Sequence, residues 1–331
     1  MNNKNQMELK ESFTETNGNK TKEKYKRLLK FYLLPFWRDK DFSAQEYELG
    51  KIKSKRKLFN RLYTPLTIVG GILLLVIAIC AVHAMWLTPY SIYDLNSRPG
   101  VNPYSPPTED HPLGTTQLGW DIFGRLMFGC RTALTAGLVA ITIAVVFGVI
   151  IGIISAYFGG IIDSLIMRTF DIIIAFPNLI IVLIYISMFG SELSNILLIY
   201  GILGVPGYAR LLRSSVLQGK QNLYINAAKT SGADNFRVMF KHIFPNAISP
   251  IIASVFTSMG ATILGISALA FLGFGDSSII DWGTDINVGR IRLITKPWIS
   301  LWPGFFIAIT VLGFMLIGDG IRDALDPKSK K

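Results

Sequence analysis

Six stretches of this 331-residue chain are each long and apolar enough to decide its fold before any other feature is weighed. A hydrocarbon core about 30 Å thick takes roughly 20 apolar residues of helix to cross. The first stretch is 65–87 (PLTIVGGILLLVIAICAVHAMWL) and the second 132–157 (TALTAGLVAITIAVVFGVIIGIISAY). A third, about 170–190, contains Asp171 and Pro177, and a fourth, 193–209, is shorter and interrupted by Gly201, Gly204, Pro206 and Gly207. The fifth runs from 247 to about 274 and the sixth from 298 to about 317. Only helices or closed barrels satisfy the backbone in lipid, and runs this long read as helices. The fold expected is therefore all-α, a polytopic membrane protein with six transmembrane helices. Composition agrees: half the residues are hydrophobic and only 17% are charged, against about a quarter in a water-soluble domain.

The lysines and arginines orient these spans. Residues 1–64 hold 16 of the 33, and the loop 210–246 holds six (Arg210, Arg213, Lys220, Lys229, Arg237, Lys241) against the single acid Asp234. The loop 88–131 has only Arg98, Arg125 and Arg131, and in 275–297 three cations are balanced by Asp276, Asp281 and Asp285. The positive-inside rule then puts both termini and the 210–246 loop in the cytoplasm. Trp86, Tyr90 and Tyr93 at the outer end of the first span, and Trp298 and Trp302 opening the sixth, form an aromatic belt on the outer side. The first span begins behind a polar, basic arm and is too long for the apolar part of a signal peptide, so the arm is expected to stay. The net charge of +11 is thus mostly a topology signal; the cations flank spans and do not line a nucleic-acid-binding face.

Four regions follow: a disordered cytoplasmic arm, 1–23; a basic cytoplasmic or interfacial segment, 24–64; a membrane domain, 65–320; and a cytoplasmic tail, 321–331. Within the outer loop, Pro103, Pro106 and Pro107 exclude an early helix, whereas Ile122, Phe123, Leu126 and Met127 fall on a helical stripe. An interfacial helix feeding the second span is expected there. Gly148 and Gly152 in that span have the spacing that lets a second helix backbone approach closely. Arg168 and Asp171 stand three apart, where they can pair on one helix face.

Chemistry is sparse. Gly50-Lys51 is followed by Ile and Gly219-Lys220 by Gln, so no phosphate-binding loop is completed. His83, His111 and His242 are scattered, without metal-ligand spacing, and no G-x-S-x-G elbow occurs. Neither a cofactor site, a metal site nor a catalytic constellation is read, and the chain alone is not an enzyme. A glycine- and proline-interrupted bundle without chemistry is most simply a pathway. Gradient-driven carriers keep ionisable residues at mid-membrane depth and show internal repeats. Neither is clear here, which favours a partner as the energy source over a self-sufficient carrier or channel.

The loop 210–246 is built to meet such a partner. Residues 223–231 can form a short helix whose face at Tyr224, Ala227, Ala228 and Ser231 is mostly small, stopped by Gly232. Asp234 can cap a second helix with Phe236, Phe240 and Ile243 as its apolar stripe, ended by Pro245. A helix lying on lipid wants bulky anchors, whereas Ala-Ala…Gly suits a protein cleft.

Residues 226–246, NAAKTSGADNFRVMFKHIFPN, resemble the EAA loop of ABC-importer permeases. The closing His242-Ile243-Phe244-Pro245-Asn246 is similar to the His-Ile-Leu-Pro-Asn of the oligopeptide/dipeptide/nickel branch. HPLGTTQLGWDIFGRLMFGCRTAL at 111–134, AFP at 175–177, SALAFLGFG at 267–275 and PGFFIAITVLGFMLIGDGIRDALDP at 303–327 resemble further blocks of that branch. Together they cover roughly residues 50–327, with the order and spacing of the C-type member of the permease pair. Asn226 stands where the family usually has Glu and Phe244 where it has Leu, and Trp120 interrupts the outer Gly-Arg-Asp.

The resemblance implies a type I ABC importer permease fold in the prokaryotic plasma membrane. It implies three kinds of partner beyond the lipid bilayer: a homologous second permease, two cytoplasmic ATPases that bind ATP and Mg²⁺, and an external substrate-binding protein. Peptides are the expected solute, with nickel or another small solute as the alternative. ATPase coupling is expected through Tyr224, Asn226, Ala227, Ala228, Lys229, Ser231, Gly232, Ala233, Phe236, His242 and Pro245, and Ser254, Ser258 and Thr262 are candidates to line the path.

Overall fold

A computed structural model describes residues 62–96, 102–222, 225–226, 234, 236 and 238–325. The expected arm 1–23, nearly all of the basic segment 24–64 and positions 326–331 of the tail lie outside the described residues. So do Tyr224, Ala227, Ala228, Lys229, Ser231, Gly232 and Ala233. What is described is helical, and among these residues the only β-type pairing is an isolated bridge between Thr115 and Asp121.

Helix α1 (Pro65–Leu87) starts with Pro65 in its first turn and is capped by Thr64, whose hydroxyl accepts the Thr67 N–H at 3.2 Å. After a short α2 (Ile92–Asn96) comes α3 (Ile122–Phe158), 37 residues and so about 55 Å long. Asp121 caps α3, accepting the Gly124 N–H at 2.6 Å. The separate interfacial helix expected near residue 122 is instead the first third of this one helix. No proline breaks it, and Gly124, Leu126, Met127 and Phe128 are buried against protein, not laid on lipid. Two successive left-handed glycines, Gly159 and Gly160 (φ +68° and +57°), turn the chain into α4 (Gly160–Ala175).

Helix α5 (Asn178–Phe189) follows a break at Phe176-Pro177 that bends the pair by 86°. The third apolar run is thus two half-helices. Pro177 removes an N–H and drives Phe176 into extended geometry (φ −94°, ψ 141°), which ends α4. The fourth run, the shortest in the sequence, is by contrast one continuous helix, α6 (Leu193–Lys220), with Pro206 carried inside it. Then follow α7 (Phe244–Ala247), α8 (Ser249–Leu269), α9 (Trp282–Arg290) and α10 (Trp298–Leu325), with π-helical turns at Val238–Ile243 and Ala270–Phe274. Five helices (α1, α3, α6, α8 and α10) are long and apolar enough to cross a membrane, and the count is six if the bent α4–α5 pair is one broken span and not a re-entrant loop. Helix α10 continues to Leu325, past residue 320 where the sequence ends the membrane domain.

Helix α3 is the central post, flanked by α6, α1 and α8. The Gly148/Gly152 pair does what its spacing predicts. A Cβ on Gly152 would lie 2.6 Å from the Ala209 carbonyl oxygen, and one on Gly148 2.6 Å from Tyr208 Cβ, so α3 and α6 touch backbone to backbone. Helix α1 packs on α3 and α10 and leaves Ile72, Val82 and Trp86 exposed, as a lipid-facing outer helix does. The ends of the bundle differ. The one carrying 210–246 is termed the basic end, and the one carrying α2 and α9 the opposite end.

Candidate functional site

At the basic end, α6 runs out through Gln221 and Asn222, and the chain returns through Val238–Ile243 and α7 into α8. Ile225, Val238, Met239 and Ile243 are buried together with Tyr157, Leu212, Val216 and Ile251 of the spans. The segment is therefore seated on the bundle by its own apolar residues. Its buried face is not the stripe the sequence indicates. Phe236 and Phe240 are 66% and 43% exposed, with ring centroids 4.5 Å apart, whereas Ile243 is buried. The π-helical turn explains the difference: wider than 3.6 residues per turn, it sets Val238 and Ile243, five apart, on one side. Asp234 bonds the Phe236 N–H at 3.3 Å and its carbonyl accepts the Val238 N–H, as a cap would. His242 lies within the π turn, and Pro245 does not end it, because helical geometry continues through α7 with Pro245 in its first turn. Asn226 is exposed beside the buried Ile225.

Above this segment, between α6, α8 and the α4–α5 break, lies a half-open cavity of about 570 Å³. Ser254, Ser258 and Thr262, spaced four apart on one face of α8, all line it. Across from them stand Tyr200 and Tyr208 of α6, and Asn178 comes from the break between α4 and α5. The lining carries no charged side chain. Tyr200 donates to the Gly265 carbonyl at 2.7 Å and Tyr208 to the Ser254 carbonyl at 3.4 Å, which are neutral bonds between α6 and α8. The sequence reading missed both tyrosines, since an aromatic in an apolar run is ordinarily core; the signal for Asn178 was its place after Pro177.

Charged groups join α6 to its other neighbours. The Arg213 guanidinium donates two bonds to the Asp163 carboxylate, at 2.7 and 2.6 Å, and the Ser155 hydroxyl adds a third at 2.6 Å. Lys220 donates to the carbonyls of Ala156 and Tyr157 at 3.2 and 2.7 Å, covering the end of α3. Asp171 does not pair with Arg168 as its spacing allows. Its carboxylate accepts from Arg210 of α6 at 2.6 Å, because α6 lies alongside and presents a long cation.

The opposite end is tied by buried polar groups. Arg125 of α3 reaches Asp285 of α9 at 2.7 Å and also donates to the Leu95 carbonyl, while the Trp120 ring lies 4.7 Å from its guanidinium. The tryptophan that interrupts the outer motif thus covers a buried cation. Burial pushes the Asp285 carboxyl up against the pull of Arg125. Asp281 caps α9, accepting the Thr284 N–H at 3.0 Å, and burial raises it to about 6. Cys80 and Cys130 are free thiols.

Residues 148–331, more than half of the chain, match the family model described as "Binding-protein-dependent transport system inner membrane component". The dipeptide transport system permease protein DppC of Alkalihalophilus pseudofirmus is 40% identical over 277 residues, covering 83% of this chain and 90% of that protein. The glutathione transport system permease protein GsiD of Escherichia coli is 34% identical over 273 residues (82% and 89%), and that of Pectobacterium atrosepticum 33% over 264 residues (80% and 87%). By family match, extent of identity and helical architecture, the chain belongs to the binding-protein-dependent transport system inner membrane components, the permease subunits of ABC importers.

Proposed function

We propose that this chain is one of two membrane halves of an ATP-driven peptide importer. Its basic end faces the cytoplasm of a prokaryotic cell, and the segment 223–244 is the contact through which a separate ATPase drives it. The observation that carries this reading is the seating of that segment. Its buried apolar residues, Ile225, Val238, Met239 and Ile243, lock onto the inner ends of α3, α6 and α8, while Phe236 and Phe240 are left outward. A partner that grips this segment therefore pushes on the spans directly, and the sequence makes Ala227, Ala228 and Gly232 the residues expected to meet it. The peptide assignment follows the names of the dipeptide and glutathione permeases.

Solute would pass by the cavity between α6 and α8. A homologous second permease supplies the facing half, and an external binding protein delivers the solute to the opposite end. The chemistry of ATP belongs to the ATPase partners; this chain converts their closure into a change of access.

The test is reconstitution of the chain with those partners in proteoliposomes. ATP-dependent uptake of a labelled peptide, absent when any partner is omitted, is the expected result. Uptake by the purified chain alone under an ion gradient would overturn the reading in favour of a carrier.

A further inference from the structure

The bonds around α6 are unequal, and the inequality has a direction. Toward α3 and α4 the inner half of α6 makes a bidentate ion pair, Arg213 to Asp163, reinforced by Ser155. It adds the Lys220 cap on the last carbonyls of α3 and the Arg210–Asp171 pair. The first of these is partly sheltered, with Asp163 15% and Arg213 34% exposed, and bidentate charged bonds are among the strongest a protein makes. The Arg210–Asp171 pair is largely exposed and counts for little. Backbone contact at Gly148 and Gly152 adds to the α3–α6 union. Toward α8, by contrast, the polar links are all neutral: Tyr200 to the Gly265 carbonyl, and Tyr208 to Ser254, whose carbonyl lies at 3.4 Å, and to Ser258. The cavity lies along that weaker side, with Tyr200, Gly207 and Tyr208 on one wall and Ser254, Ser258 and Thr262 on the other.

We infer that Asp163, Arg213 and Lys220 are positioning residues that bind α3, α4 and α6 into one moving block, so that the coupling stroke opens the cavity along the seam between α6 and α8. The inference rests on the proposed coupling role of the 223–244 segment. That segment joins α6 to α8 and is therefore placed to move one against the other. The block also carries Ile174 of α4, so the part of the cavity wall formed by the end of α4 moves with α6. Hinge and seam motions of this kind require some contacts that hold and others that yield.

Spin labels on exposed positions test this in the full importer complex, compared nucleotide-free and trapped with ATP and vanadate. One pair reports the block, Leu165 of α4 with Leu217 of α6; the other reports the seam, Leu217 with Ile252 of α8. The expected result is an unchanged 165–217 distance and a 217–252 distance that shifts by several ångströms. A shift in the first pair, or none in the second while the complex still imports, would overturn the inference and leave the coupling reading standing. Failure of the wild-type complex to import with ATP would instead strike the coupling reading itself. Asp163→Asn should broaden the 165–217 distribution and cut peptide imported per ATP hydrolysed about tenfold, and Asp163→Glu should preserve both. A purely architectural role would lower the amount of assembled complex and leave import per ATP unchanged. An unchanged ratio in Asp163→Asn would overturn the positioning role.

Discussion

Arg125 and Asp285, 160 positions apart in the chain, meet at 2.7 Å with both side chains almost sealed from solvent. This contact fastens α9 to the start of α3. Breaking a buried pair from one side leaves an uncompensated charge, which costs about 3–5 kcal/mol. Asp285→Leu should therefore lower the unfolding temperature of the purified protein markedly. The double replacement Arg125→Met/Asp285→Leu should cost less than that single change, because no charge is stranded. Additive losses in thermal unfolding would show that the two groups do not act as a pair.

Asp281 gives the opposite end a pH dependence. Its folded value of about 6 lies above the 3.8 ordinary for an aspartate, so its contribution to stability is full below about pH 4 and is lost as pH rises through 6. The shift corresponds to roughly 3 kcal/mol at most. Thermal unfolding followed from pH 5 to 7.5 should show declining stability. Asp281→Asn keeps an acceptor for the Thr284 N–H and should flatten that slope while holding stability at neutral pH. An unchanged slope in the variant would assign the effect to other groups.

Gly152→Ala tests the α3–α6 contact. The added Cβ would meet the Ala209 carbonyl oxygen at 2.6 Å, a backbone atom that cannot turn aside, so the helices must part. A loss of about 1–3 kcal/mol is expected for such overpacking. Gly71→Ala, where a Cβ would meet nothing within 4 Å, is the matched control and should be close to neutral.

The cavity is tested by filling it. Ser258→Trp places an indole between α8 and α6 and should reduce peptide uptake about tenfold with the complex still assembled and hydrolysing ATP. Uptake at the wild-type rate would remove this face of α8 from the path.

Much of this architecture was legible because lipid restricts the backbone so severely. Six apolar runs led to five long helices and one bent pair, and Gly148/Gly152 marked the α3–α6 contact. What misled was the reading of each interruption by itself. Pro206 and three glycines made the fourth run look broken, yet they sit in a continuous helix, with Gly201 and Gly204 packed closely on Ile143 and Ala144. Pro177 alone did break its run. The π turn at 238–243 could not be seen in a pattern read at 3.6 residues per turn, so Phe240 was assigned to the wrong face. The charged links were missed for a related reason. Arg213 and Lys220 read as topology signals, and only the fold shows that they grip Asp163 and the end of α3.

Coupling of this permease to its ATPase is proposed to run through the small residues of the 223–244 segment, Ala227, Ala228 and Gly232. It is met most directly by Gly232→Glu in the full reconstituted complex, with uptake and ATPase association measured side by side. Peptide uptake should collapse while the chain still inserts in the membrane. Full uptake with normal ATPase association in that variant would contradict it.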